Sequence, residues 1–114
     1  MSLSPREYIR HMIDEIEYIL RRVEDVDFAV FFEDETLKRA FVRSLEIIGE
    51  AAKKIPPDVK AMQPDIEWRK VSGLRDRLIH DYFSIDYAIV WDVAANKLPD
   101  LHNSLNSLLR NLDS

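Results

Sequence analysis

A helix start and an amphipathic stripe are combined in residues 4–23, SPREYIRHMIDEIEYILRRV. Ser4 is suited to cap a helix, Pro5 suits the first helical position, and Glu7 completes a capping box with Ser4. Apolar residues then recur at spacings of three and four: Ile9, Met12, Ile13, Ile16, Ile19, Leu20 and Val23. The stretch therefore predicts a helix of about five turns with one face turned to a core.

The same periodicity continues on the C-terminal side of this stretch. A second helix is predicted from Asp34, its cap, to Ile55, because the prolines at 56 and 57 disfavour helical backbone in the residue before them. Gly49 in its interior costs about 1 kcal/mol against alanine, which we interpret as close approach of a neighbouring helix. Between the two helices, an apolar plug is predicted to pack into the bundle: Phe28, Val30, Phe31 and Phe32. A short strand is the alternative there, but a lone strand would have nothing to pair with.

Three further helices are predicted after the prolines. Residues 57–63 are compatible with one short turn of helix, and a third long helix is predicted from Pro64 to Tyr82. A fourth follows from Tyr87 to Leu98, and Pro99 opens a fifth. The sequence thus predicts an all-α, antiparallel bundle of four to five helices, formed as a single domain over residues 1–114.

Composition excludes several classes of function. The chain of 114 residues has no cysteine, so it has neither a disulfide framework nor a thiolate metal site. Its three histidines show no metal-ligand spacing, and no apolar run is long enough to span a membrane. We expect a cytoplasmic protein with no metal and no cofactor. The formal net charge of −5 argues mildly against a broad nucleic-acid footprint but leaves a local basic cleft open.

The residues best suited to chemistry are concentrated in residues 74–82, LRDRLIHDY. A histidine near its reference pKa of ~6.5 suits proton transfer to or from a ribose hydroxyl, and an arginine can hold a phosphate by two hydrogen bonds. His80 and Arg75 would take these roles in phosphodiester cleavage. Asp76, four residues before His80, would share its helix face and orient the imidazole.

Two observations weigh against this interpretation. On an undistorted helix His80 lies about 140° round from Arg75, so both side chains reach one atom only if the helix ends near His80 or a twofold partner contributes. In addition, an arginine and a histidine on a helix surface are usually solvated, and Asp76 with His80 would then be a plain surface pair.

Other segments of the chain make the identification of this motif more specific. Arg75, His80 and Tyr82 fit the pattern R-x4-H-x-Y, and with its flanking segments the chain resembles the HepT-like branch of the HEPN superfamily over residues 6–112. The segments that carry the resemblance are Ile47–Ala52, Leu78–Tyr82, Ile89–Trp91 and Leu98–Leu101.

The resemblance implies an all-α homodimer whose two motifs line a shared cleft, and metal-independent cleavage of RNA by the toxin of a type VII-like toxin–antitoxin pair. Arg75 and His80 would be catalytic, and Asp76 stands where the family often has asparagine, which adds negative charge beside the phosphate. The expected partner is a minimal nucleotidyltransferase antitoxin, which in some pairs attaches AMP to the motif tyrosine; Tyr82 is the matching position.

Two alternatives remain open at this point. One is a non-catalytic HEPN-type dimer that binds a nucleotidyltransferase or nucleotides without cutting RNA, which the acidic balance and Asp76 favour. The other is a helical dimerisation module whose motif serves packing alone. Trp68 and Trp91 are candidate interface anchors, with core burial as the equal alternative.

Overall fold

The computed structural model describes residues 3–81 and 84–114, without the side chains of His80 and Asp81. In chain order its elements are α1 (Pro5–Val23), α2 (Phe28–Glu33), α3 (Glu35–Lys53), α4 (Pro57–Lys60), α5 (Trp68–Ser72), α6 (Leu74–Leu78), β1 (Ile79–Asp81), β2 (Ser84–Ile85), α7 (Tyr87–Asp92), a π-helical turn (Val93–Lys97) and α8 (Leu98–Leu112). The predicted all-α class is confirmed. No helix in these two ranges is long and apolar enough to cross a membrane.

The first helix begins as its sequence predicts. The Ser4 hydroxyl accepts a hydrogen bond from the Glu7 amide at 3.2 Å, and the Glu7 carboxylate accepts one from the Ser4 amide at 3.1 Å. The apolar stripe is buried against α3 and α8. Two polar contacts join α1 to α8 at the surface: Arg6 with Asp113 at 2.8 Å, and Glu17 with His102 at 3.0 Å.

The apolar plug is a helix, and only part of it enters the core. Asp27 accepts a hydrogen bond from the Val30 amide at 2.9 Å and so caps α2, which excludes the alternative of a short strand. Phe31 is fully buried, with its ring centroid 5.0 Å from that of Phe41 and 5.3 Å from that of Trp91. The other apolar side chains of α2 are exposed, so the prediction was wrong for Phe28, Val30 and Phe32.

The second long helix, α3, confirms the role predicted for Gly49. Asp34 caps it by accepting from the Leu37 amide at 2.9 Å. A Cβ atom added to Gly49 would lie 3.2 Å from the Val71 carbonyl oxygen and 3.8 Å from the Leu74 Cβ. The missing side chain therefore lets the junction of α5 and α6 lie directly against α3.

The third long helix predicted from Pro64 to Tyr82 is wrong at both ends. Helical structure begins only at Trp68, whose indole N–H donates to the carbonyls of Lys60 and Gln63, both at 3.2 Å. It breaks at Gly73 and ends at Leu78. Ile79 then turns extended, because β1 pairs with β2 as a short antiparallel hairpin that supplies the backbone partners a further helical turn would have used.

The predicted break at Pro99 is absent. The chain stays helical from α7 through the π-turn into α8, so the fourth and fifth helices form one continuous rod. The Leu98 amide bonds five residues back to the Val93 carbonyl, which widens the turn just before the proline. Pro99 directly follows this wider turn, and because it has no N–H to donate, the helix continues through it with one backbone hydrogen bond fewer.

Both tryptophans make contacts within the subunit. Trp91 packs against Phe28 and Phe31, and Trp68 bonds to the carbonyls around α4. Each is partly buried at the edge of the core. These contacts account for both side chains through packing, and an additional role as interface anchors stays a prediction.

Candidate functional site

Arg75 lies on α6 with 53% of its side chain exposed. Among the described side chains, its charged partner is Glu46 of α3, and 3.6 Å separate Arg75 Nε from Glu46 Oε2. That distance allows attraction between the charges but is too long for a direct hydrogen bond. Among the side chains that are described, none accepts a hydrogen bond from the guanidinium, whose donors can therefore face an anion.

Glu46 is a site residue that the sequence analysis missed. It lies three residues before Gly49, so the two share a face of α3, and this is the face against which α5 and α6 pack. Gly49 predicts close approach of a neighbouring helix. Applied to the residue one turn earlier on the same face of α3, that prediction places Glu46 beside the motif helix.

Asp76 and His80 do not share a helix face. Asp76 is exposed on α6, and α6 ends at Leu78, so the backbone of His80 belongs to strand β1. The predicted four-residue helical spacing between them is therefore wrong. Because α6 ends before His80, the separation of about 140° expected for Arg75 and His80 on an unbroken helix does not apply.

The histidine and the tyrosine of the predicted motif are placed only in part. The His80 backbone lies in β1 between Ile79 and Asp81, the two residues of that strand that pair with β2. The His80 side chain is not described, and Tyr82 lies outside the described residues. The distance from Arg75 to His80, the orientation of His80 by Asp76 and the position of Tyr82 accordingly stay predictions.

The hairpin that carries the motif is closed at its base. The Asp86 amide donates to the Leu78 carbonyl at 3.0 Å, and Leu78 is fully buried. The Asp86 carboxylate also accepts from the amides of Ala88 and Ile89 at 3.1 and 3.2 Å, which caps α7. Both ends of residues 79–85 are thereby anchored to helices.

A buried lysine supports the helix after the hairpin. Lys38 is 7% exposed, and its ammonium group lies 4.4 Å from the centroid of the Tyr87 ring and 4.7 Å from that of Phe32. It also bonds to the Glu35 carboxylate at 3.1 Å. These cation–π contacts connect α3 to the first residue of α7.

Metal coordination has no obvious set of ligands in the described chain. Among the side chains that are placed, no three histidine, aspartate or glutamate residues are grouped so as to hold a metal ion. The placed groups are the exposed guanidinium of Arg75 and the nearby carboxylate of Glu46, and the motif histidine follows Arg75 by five residues in sequence.

Comparison with known proteins gives one consistent family. The family model described as "Ribonuclease HepT-like" matches residues 12–108. A candidate RNase of Caldanaerobacter subterraneus subsp. tengcongensis is 39% identical over 107 residues, which cover 94% of this chain and 96% of that protein. A protein of Thermococcus cleftensis named "Probable ribonuclease HepT" is 36% identical over 108 residues, covering 95% and 98%.

More distant relatives agree. A candidate RNase of Methanocaldococcus jannaschii is 32% identical over 108 residues, 95% of this chain and 93% of that protein. No solved structure matches the chain.

Proposed function

The chain belongs to the HepT-like ribonuclease family, and from this premise we propose that it cleaves RNA without a metal ion, with Arg75 and His80 as its catalytic residues. The observation that carries the proposal is the position of Arg75. Its half-exposed guanidinium projects from the last helix before the hairpin, and the chain leads from the end of that helix to His80 in two residues.

In this mechanism the ribose 2′-oxygen attacks the adjacent phosphorus and the bond from phosphorus to the 5′-oxygen breaks. A base must take the 2′-hydroxyl proton, and an acid must give a proton to the departing 5′-oxygen. His80 suits both tasks because imidazole titrates near neutral pH. Arg75 binds the non-bridging oxygens and stabilises the charge that builds on them.

The mechanism favours a homodimer. Each chain offers one motif histidine, whereas concerted base and acid catalysis needs two protonation states at the same phosphate. Two copies facing each other across a twofold axis would supply one imidazole as base and the other as acid. Sedimentation equilibrium tests this assembly, and a monomer that cleaves RNA at full rate would contradict it.

The roles of the two residues are tested by the products and by an arginine series. Cleavage in EDTA should leave 2′,3′-cyclic phosphate and 5′-hydroxyl ends. Arg75→Gln should lower kcat/KM by about 100-fold, the loss typical of one charge-stabilising donor, and Arg75→Lys should recover part of it because the charge returns without the planar fork. Arg39→Gln, at an exposed arginine of α3, is the matched control and should cleave normally.

The biological setting proposed is that of a toxin. We propose that a minimal nucleotidyltransferase antitoxin neutralises the enzyme by attaching AMP to Tyr82, two residues after His80. Added phosphate charge and bulk so near the histidine would compete with RNA. Intact-mass spectra of the protein made with and without such a partner test this: added AMP masses that disappear in Tyr82→Phe support it, and unchanged masses contradict it.

One observation favours a second candidate, a non-catalytic partner of a nucleotidyltransferase. The Glu46 carboxylate lies beside Arg75 and the exposed Asp76 follows Arg75 in sequence, and both negative charges would repel RNA phosphate. This candidate predicts an intact complex with the nucleotidyltransferase and no cleavage in EDTA. Cleavage that disappears with His80→Ala would exclude it.

A further inference from the structure

A groove of about 670 Å³ lies on the side of α6 away from Arg75. It runs between residues 65–77 and the π-turn with the start of α8. Its floor is apolar and includes the buried side chains of Ile66, Leu74, Val93 and Leu98. The volume lies in the range of about 300–1,000 Å³ that holds small organic ligands.

Three cations lie along the rim of the groove: Lys70, Arg77 and Lys97. They converge near Glu67, whose pKa is lowered mainly by a hydrogen bond from Lys70 and by its charge, and further by the charges of Lys97 and Arg77. Lys70 is engaged by Glu67 at 2.8 Å. Among the described side chains, Arg77 and Lys97 form no ion pair and so stand available for an anion.

The carboxylates of the groove are largely engaged already. Asp65 accepts hydrogen bonds from Ser104 at 2.6 Å and from Gln63 at 2.7 Å, which lower its pKa. Glu67 is paired with Lys70, as noted above. Of the three acids at the rim, Asp100 alone makes no side-chain hydrogen bond within the described part of the chain.

The π-turn contributes part of this rim. Val93, Asn96 and Lys97 line the groove, and all three belong to the five-residue π-helical turn. A π-turn rotates the side chains that follow it relative to an α-helix, and such turns recur at functional sites. The π-turn is therefore the part of this helix whose side chains line the groove.

Arg75 and Arg77 connect the groove with the motif. Two residues apart on α6, they project about 200° from each other, one toward α3 and the other into the groove. A helix is about 10 Å across, so a strand that passes half-way round it covers about 16 Å, or about five nucleotides with bases ~3.4 Å apart. One strand can thus contact both arginines.

We propose that the groove is a nucleotide subsite for the RNA strand beside the scissile phosphate. Arg77 and Lys97 bind a phosphate, and the attached base lies on the apolar floor. This inference rests on the function proposed above, because the strand is the one that reaches Arg75. Free nucleotides share the same chemistry, so the test separates the two sources.

The test measures binding of a fluorescent single-stranded RNA of ~12 nucleotides, within the usual range of strand-binding sites, in a His80→Ala background. Arg77→Gln with Lys97→Gln should weaken binding about tenfold and reduce the slope of log affinity against log salt by about 1.4, the share of two phosphates. Arg21→Gln with Arg39→Gln removes the same charge from exposed positions on α1 and α3 and should change the slope little.

A variant that binds RNA more tightly is a control for affinity that is lost only through misfolding. Asn103 is an exposed residue of the rim, and Asn103→Lys should tighten RNA binding several-fold. With active protein, the double variant should raise KM for the long RNA far more than KM for a dinucleotide, which is too short to reach the groove from Arg75. Equal losses on both substrates would place Arg77 at the scissile phosphate and overturn the subsite.

The remaining outcomes are equally decisive. Unchanged affinity in the double variant, or a changed oligomeric state in sedimentation, overturns the proposal; the latter makes the groove a subunit contact. AMP that binds as tightly as the RNA would make it a free-nucleotide site. If the unmodified protein cleaves no RNA but the double variant still loses RNA binding, the proposed function fails and the subsite stands.

Discussion

Arg75 Nε and Glu46 Oε2 lie 3.6 Å apart, close enough for charge attraction and too far for a hydrogen bond. Glu46 is more buried than Arg75, with 27% of its side chain exposed against 53%. The carboxylate therefore holds a fixed place on α3 while the guanidinium extends toward solvent. We infer that it competes with RNA phosphate for the guanidinium, as part of the function proposed above.

Removing this competitor should strengthen RNA binding. We predict that Glu46→Gln, in a His80→Ala background, lowers the Kd for single-stranded RNA by up to about fivefold, because a surface pair is worth at most ~1 kcal/mol. Fluorescence anisotropy measures this. Glu50→Gln, one turn further along α3, makes the same charge change beside Lys53 and should have a smaller effect. Weaker binding in Glu46→Gln would show that the carboxylate orients Arg75 instead.

Filling the contact at Gly49 should destabilise the protein and displace the motif helix. Any Cβ there is already 3.2 Å from the Val71 carbonyl oxygen, and Gly49→Val adds two methyl groups. Overpacking of this kind costs about 1–3 kcal/mol, measured as the free energy of unfolding in urea. Arg43→Val, at an exposed position of α3, controls for the helix propensity of valine. Equal losses in the two variants would contradict the close contact.

The Arg6–Asp113 pair should make stability depend on pH in the acid range. The hydrogen bond and charge of Arg6 hold the pKa of Asp113 below its ordinary value of 3.8. A lowered pKa in the folded state stabilises the protein above the ordinary value, and the contribution is lost as the pH falls through the lowered one. Arg6→Gln should therefore reduce the urea midpoint at neutral pH, and the difference from the parent should shrink as the pH falls below 3.8.

A control keeps that effect apart from general loss of charge. Arg21→Gln removes an arginine from the exposed end of α1, and its difference from the parent should not vary with pH in the same way. A difference for Arg6→Gln that is constant from neutral to acid pH would contradict a role for the Asp113 carboxylate.

The elements predicted correctly from the sequence are those whose signals are local. Ser4 and Glu7 define the start of α1, and Asp34 that of α3, within one turn of chain. Gly49 was recognised because a glycine in a helix interior needs a reason. The class and the two long helices follow from such short-range patterns.

The errors come from interactions between distant parts of the chain. The end of α6 depends on the Asp86 amide bonding to Leu78, and the apolar spacing of Leu74 and Leu78 continues smoothly across it. Pro99 normally marks a helix start, and the π-turn that carries the helix through it has no local signature. Glu46 enters the site from another helix, so no pattern around the motif could reveal it.

The most direct test of the proposed function is the rate of RNA cleavage in EDTA by His80→Ala. General acid–base catalysis by one side chain contributes about 10²–10⁴-fold, so the rate should fall at least about 100-fold below that of the unmodified protein. His11→Ala, at an exposed histidine of α1, should cleave at the parent rate. A His80→Ala protein that cleaves as fast as its His11→Ala counterpart would contradict the catalytic role of His80.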